Sequence, residues 1–335
     1  MTPHDFLTED GMAILLLCSS LGLEQKSAPG FCPPLTLSEW NKLATRISSS
    51  PLKSASGLLG HSVAELGGTL EIPPDEAERL AQLLERGSRL TLELESLFSR
   101  GIWAITRADP TYPARLRDSL KHHAPTVLFG AGEIQLFRRA GLAVIGSRNI
   151  DATGTAFAKE TGRKSAAAGT PVVSGGAKGT DRLAMEGALE AGGNALGVVA
   201  DSLDRTIRQP DVREFLLDGR LLLLTPYAPT AGFSIGAAMG RNKVIYGLAD
   251  FAVVVSSDFQ SGGTWAGAVE ALKAGWCPVF VRDGAEVPKG NKELIRLGAV
   301  PLPESEFAAM ADLPQQLREL VPGKAVEQDL FGSVP

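Results

Sequence analysis

Histidine, cysteine and surplus positive charge are all scarce in this chain, and each scarcity removes a class of function. Only four histidines occur among 335 residues (His4, His61, His122 and His123) and none follows position 123, so an imidazole general base is excluded from everything beyond it. The three cysteines, Cys18, Cys32 and Cys277, lie far apart and form no ligand spacing with those histidines. Neither a disulfide framework nor a metal site is expected, and a reducing, cytoplasmic setting fits. Lys and Arg number 33 against 38 Asp and Glu, a formal net charge of −5, which argues against a general polyanion binder. Residues 141–300 are the one segment that is not net acidic, so any nucleic-acid site must be a local cluster of cations. No apolar run approaches the roughly 20 residues of a membrane span. The opening "MTPHDFLTEDGMAILLLCSSLGL" is expected to be a core helix rather than a signal peptide, because acidic residues precede its apolar run and no small-residue cleavage site follows.

What is present is enough apolar sequence, 44% of residues, for a sizeable core. Residues 1–105 read as a small helical domain. "TLSEWNKLATRI" opens with Thr36 or Ser38 as N-cap, and "PPDEAERLAQLLERGSRLTLELESLFSRG" has Pro and acidic residues at its start, apolar residues at helical spacing and Gly101 at its end. Residues 106–140 read as a connector broken by Pro110, Pro113 and Pro125, with a short strand at Thr126–Phe129. Over 141–304 continuous apolar strands such as "LAVIGS", "PVVSG" and "DFAVVVSS" alternate with amphipathic helical segments. That alternation predicts an α/β fold: a doubly wound, mostly parallel Rossmann-like sheet, preceded by the small all-helical domain. Residues 305–335 are expected to hold one helix and a polar tail, in which "EQDLFG" has the look of a short docking peptide.

In such a sheet, ligands bind where the strands' carboxyl ends meet the following loops. Four segments fall there: Gly146-Ser147-Arg148-Asn149, Ser174-Gly175-Gly176-Ala177-Lys178-Gly179, Gly240-Arg241-Asn242-Lys243, and Ser261-Gly262-Gly263-Thr264. Their chemistry is anion binding. Glycines bring backbone N–H groups close to an anion, helix N-termini add positive partial charge, hydroxyls donate, and Arg148, Lys178, Arg241 and Lys243 supply charge. The plainer reading is that the glycines only make tight turns. Asp181 is expected to cap its helix or to bind back to the glycine turn. "VIGSRNIDATG" lacks the dinucleotide fingerprint, and in "SGGAKGTD" Lys178 precedes the last glycine instead of following it, so neither a dinucleotide cofactor nor a Walker loop is indicated. No cofactor is expected, and no carboxylate pair is placed for acid–base catalysis.

At these residues the chain resembles the DprA/Smf family of DNA-processing proteins, over nearly 200 residues from "ITRADPTYPARL" to "GNKELIRLGAV". The family's Tyr-Pro is Tyr112-Pro113, followed by Leu116 and Leu128-Phe129-Gly130. Its Gly-Ser-Arg turn is Gly146-Ser147-Arg148, and its Ser-Gly-x-Ala-x-Gly-Ile-Asp loop is Ser174 to Asp181 with Thr180 for the isoleucine. Its Arg-Asn-Arg segment is Arg241-Asn242-Lys243, and its closing motif falls at Gly290-Asn291, Leu294-Ile295 and Gly298-Ala299. The chain is a divergent member, with Met185 where histidine is usual and Thr206-Ile207 where Tyr-Pro is expected.

The resemblance implies a protein that binds single-stranded DNA, protects it and helps load RecA during natural transformation or recombination. It implies that Arg148, Lys178, Arg241 and Lys243 contact phosphates, that Ser174, Gly175 and Gly176 donate hydrogen bonds, and that the protein is a homodimer. Phe233, Tyr246 and Trp265 are the candidates for base stacking. Two alternatives stay open. One is a small-nucleotide sensor or nucleoside-monophosphate hydrolase on the same scaffold, using Gly262-Gly263-Thr264 and Glu270; the other is a relative working in defence.

Overall fold

Two helix starts in the N-terminal hundred residues close in the same way. The Thr36 hydroxyl accepts from Glu39 N at 3.3 Å while the Glu39 carboxylate accepts from Thr36 N at 2.7 Å, and Ser62 and Glu65 repeat the arrangement. Each reciprocal pair satisfies two of the N–H groups a helix leaves unbonded at its start. Thr36, not Ser38, is therefore the cap that opens Leu37–Ser49.

The computed structural model describes residues 7–23, 31–139 and 141–321; the "EQDLFG" stretch lies outside them. The chain divides into two units, one of Met1–Arg138 with Leu196–Gly247, the other of Arg139–Ala195 with Leu248–Pro335. The strands, in chain order, are β1 (Trp103–Thr106), β2 (Val127–Gly132), β3 (Gly141–Gly146), β4 (Val172–Ser174), β5 (Ala195–Val198), β6 (Leu221–Thr225), β7 (Ala249–Ser256), β8 (Val279–Asp283) and β9 (Val300–Pro303).

Among the described residues of the first unit five α-helices, Glu9–Cys18, Leu37–Ser49, Val63–Leu70, Pro74–Leu84 and Gly87–Ser99, precede β1. Buried Asp109 ties the first of them to the end of β1: one carboxylate oxygen accepts from Thr8 N and Oγ1, the other from Thr106 N and Oγ1, all within 2.8 Å. Buried Arg86 donates to the carbonyl of Leu16 in the last turn of the first helix and to those of Ser19 and Leu21 just beyond it. Burial lowers its guanidinium pKa to about 10. Antiparallel β1 and β2 set Trp103 opposite Gly130. A side chain at Gly130 would meet the indole at 2.3 Å, so glycine is required by this register. β2 also pairs antiparallel with β6, and Val199 N, just past β5, donates to Leu224 O of β6.

The second unit carries the predicted parallel sheet, in the order β4-β3-β7-β8-β9 with every neighbouring pair parallel. Its central strands are dry on both faces: Leu142, Ala143, Val144, Val253 and Val254 are fully buried, each large one contributing roughly 1.5–3 kcal/mol by leaving water. Helices Ala152–Ala167 and Thr180–Glu190 follow β3 and β4, and Gly262–Ala274 and Lys289–Arg296 follow β7 and β8. The first two pack backbone to backbone, because a Cβ at Gly162 would lie 2.1 Å from Ala184 O and one at Gly187 2.3 Å from Lys159 O. Two helices, Glu304–Ala309 and Leu313–Leu320, follow β9 where one was expected. Stacking of Phe307 on Phe157 at 4.0 Å, with Lys164 donating to Ala308 O and Met310 O, docks the first of them.

Candidate functional site

From β3 the second unit's sheet extends in two directions, to β4 on one side and to β7 on the other. That reversal opens a crevice at the strands' carboxyl ends, the usual ligand position in an open α/β sheet. Three segments line this edge: the turn Gly146–Asn149 after β3, the loop Gly175–Gly179 after β4, and the stretch Ser257–Ser261 after β7.

Backbone groups hold the three together. Ser147 N donates to Ser256 O at 2.8 Å, clipping the β3 turn to the end of β7. Thr180 Oγ1 donates to Ser147 O at 3.1 Å, clipping it to the glycine loop. The closeness of these turns explains two of the glycines. A Cβ at Gly146 would sit 2.3 Å from Thr180 Oγ1, and one at Gly179, where φ is +90°, would sit 2.3 Å from Arg148 O. Gly176 differs: its φ is +63°, but the space where a Cβ would stand is open. Within the loop Gly175 N donates to the Asp181 carboxylate at 3.2 Å, so Asp181 binds back to the turn as expected.

The upper surface of this edge carries positive charge. Arg148 and Lys178 are exposed on adjoining loops. No side chain caps the helices Thr180–Glu190 and Gly262–Ala274 at Gly179 and Ser261; in the first, Thr180 N and Arg182 N donate to Ser147 O and Ala177 O instead, and both helix dipoles add positive partial charge to the edge. Arg182 is held by Glu186 at 2.7 Å. Asp258 is exposed on the β7 side.

Several expected site residues stand elsewhere. Ser174 is fully buried and its one hydroxyl proton goes to Val144 O at 2.6 Å; it ties β4 to β3 and does not face the rim. Arg241, Asn242 and Lys243, expected at the sheet edge, lie inside the first unit's helix Ile235–Leu248. Arg241 is buried, and Asn242 and Lys243 are half-buried. Tyr246 has no exposed surface, which removes it as a stacking platform, while Phe233 is 52% exposed. Trp265 is half-buried and packs edge-to-face on Phe259. Ser261 and Gly262 are exposed, and Gly263 and Thr264 are half-buried, in or just before the first turn of Gly262–Ala274. Glu270 follows Thr264 in that helix by about 9 Å of axial rise. Met185 is buried in the helix Thr180–Glu190, so its replacement of histidine is a change of packing.

Two residues beside this edge carry no motif in the sequence. Phe259 and Lys289 lie after β7 and β8 with the Lys289 ammonium 4.5 Å from the centre of the Phe259 ring. A phenylalanine between Asp258 and Gln260, just past an apolar strand, was the signal available in the sequence. Asn291 was quoted only as part of a motif, and its amide proves to bind three backbone groups at the ends of β7 and β8.

Fold and edge together define a doubly wound α/β protein whose topological switch point carries two exposed cations beside a glycine loop. Residues 103–311 match the family described as DNA recombination-mediator protein A, and the chain belongs to that family. A protein of Mycobacterium tuberculosis named as a DNA processing protein DprA is 26% identical over 296 residues, covering 80% of this chain and 74% of its own. The DNA processing protein DprA of Streptococcus pneumoniae is 31% identical over 157 residues, 46% of this chain and 54% of its own. The X-ray structure of DprA from Streptococcus pneumoniae superposes with a TM-score of 0.64 at 22% identity, covering 82% of this chain and 97% of that one. A Helicobacter pylori DprA structure, described in terms of that protein's single-stranded DNA binding mode, gives 0.54 at 23% identity, over 64% and 96%. Among the described residues no helix is long and apolar enough to cross a membrane.

Proposed function

We propose that this chain binds single-stranded DNA through the second unit's carboxyl edge and acts as a recombination mediator without catalytic turnover. The observation that carries the reading is the interlocked pair of turns, Gly146–Arg148 and Gly175–Gly179, which sets two exposed cations beside the positive end of the helix Thr180–Glu190. Arg148 and Lys178 neutralise phosphates, and the N–H groups around Gly176 and Gly262 approach phosphate oxygens where no side chain intervenes. A backbone ligand suits this chemistry, because no base-specific group is needed for phosphate contact. Exposed Phe233 is a separate candidate contact of the first unit. The partners in this reading are single-stranded DNA, the RecA recombinase and a second copy of the chain, in the cytoplasm; family membership supports them.

The test is binding of a fluorescent oligothymidylate against salt concentration. Wild-type affinity should fall steeply, by a slope of roughly 0.7 for each phosphate neutralised, and Arg148→Ala should bind more weakly with a slope lower by about that amount. A shallow wild-type dependence or an unaffected Arg148→Ala overturns the reading.

A further inference from the structure

We propose that Phe259, Trp265 and Lys289 form a nucleotide subsite on the β7–β8 side of the edge, in which a base stacks on the aromatic pair and its phosphate meets the lysine. This inference rests on the single-stranded DNA reading and extends the strand's path beyond the glycine loops.

Three features point to it. Phe259 and Trp265 are both half-buried and meet edge-to-face, with ring centres 5.2 Å apart and planes at 80°. Each ring is therefore fixed by the other while keeping surface towards water, the preorganisation a stacking platform needs. Second, Lys289 is the first residue of the helix Lys289–Arg296, a position where the helix dipole disfavours a cation. A charge placed against its own helix is the kind of local conflict that folds tolerate for a ligand's sake, and a phosphate there would satisfy both the ammonium and the helix start. Third, the lysine is held in place. The helix start is pressed so closely on the segment after β7 that a Cβ at Gly290 would lie 2.1 Å from Ser257 O, and the ammonium rests over the Phe259 ring. Cation, ring and indole thus form one continuous surface, matched to a nucleotide's phosphate and base.

Trp265 supplies its own probe, since Trp40, Trp103 and Trp276 are all buried and it alone is half-exposed. Oligothymidylate and an abasic strand of equal length are titrated into wild type, Trp265→Ala, Trp265→Phe and Lys289→Gln. Oligothymidylate should quench wild-type emission, and the abasic strand should bind the wild type roughly tenfold more weakly, a typical loss for one stacked base. Trp265→Ala should lose the same factor for oligothymidylate and nothing further for the abasic strand, Trp265→Phe should keep most of the affinity, and Lys289→Gln should lower the salt slope by roughly 0.7. Equal binding of both strands by the wild type, or unchanged affinity in Trp265→Ala while Arg148→Ala is impaired, overturns the subsite and leaves the DNA reading standing. Failure of the wild type to bind either strand overturns both.

Discussion

The Asn291 carboxamide holds Ser257 in place: its oxygen accepts from Ser257 N at 2.8 Å, while its nitrogen donates to Val255 O at 3.1 Å and to Arg282 O at 2.9 Å. One fully buried side chain thereby satisfies three backbone groups where β7 and β8 end and the rim begins. Asn291→Ala would strand all three in a dry site, at an expected cost of about 3 kcal/mol given roughly 1–3 kcal/mol for each buried group left unpaired. Asn291→Asp should not rescue it, because a carboxylate keeps the acceptor for Ser257 N but turns a second acceptor towards two carbonyls. Urea unfolding of the three proteins checks this; an aspartate variant as stable as wild type would show that the donor side of Asn291 contributes nothing.

Gly179 and Gly176 both have positive φ, yet alanine should affect them unequally. At Gly176 the new methyl enters open space, leaving only the left-handed backbone cost of roughly 1–2 kcal/mol. At Gly179 it must also displace Arg148 O, 2.3 Å away, and the turn carrying Arg148 with it. Gly179→Ala should therefore lose about 3 kcal/mol or more together with DNA binding, whereas Gly176→Ala stays folded. Equal midpoints for the two variants would refute the contact argument.

These glycines also show where the sequence was legible. The apolar runs of β3, β6 and β7, the cap at Thr36 and the bond from the glycine turn to Asp181 are local signals, and each appears where its pattern put it. β9 was not readable because Pro301 and Pro303 interrupt it, which only a strand at the sheet edge tolerates. The burial of Arg241 has a tertiary cause: its helix packs closely at two glycines, Gly240 beneath the Tyr227 hydroxyl and Gly247 against Leu116 and Leu120. A glycine demanded by close packing and one demanded by a turn look the same in a sequence. The rim's backbone could be anticipated, while the burial of Ser174 and Tyr246 required the packing of their neighbours.

Acid should weaken the helical part of the first unit through Glu39. The Arg79 guanidinium 2.7 Å away and the backbone of Thr36 hold its carboxyl at about 2. The folded-state value is depressed, so the stabilisation is complete above the ordinary carboxyl value of 4.5 and drains away as pH falls from there towards 2. Glu39→Gln keeps the capping box, which accepts glutamine, and removes only the charge. Because the pair is partly exposed, the loss at neutral pH should stay within about 1 kcal/mol, and the difference between variant and wild type should vanish near pH 2. A difference that persists there would place the effect in the cap rather than in the ion pair.

Lys178 and Arg241 should separate in a salt titration because one is exposed and the other buried. Lys178→Gln removes a mobile charge from the glycine loop and disturbs no packing, so the melting profile should be unchanged while the slope of affinity against salt falls by roughly 0.7. Arg241→Gln replaces a guanidinium only 7% exposed, in a helix next to the Tyr227 hydroxyl, whose pKa burial raises and the nearby Arg241 charge lowers. Loss of a buried, partnered charge acts first on stability, so this variant should unfold at lower urea and keep the wild-type salt slope wherever it is folded. Should Arg241→Gln instead remain fully stable and lose slope as Lys178→Gln does, Arg241 reaches phosphate despite its burial and the first unit's helix becomes part of the DNA-binding surface.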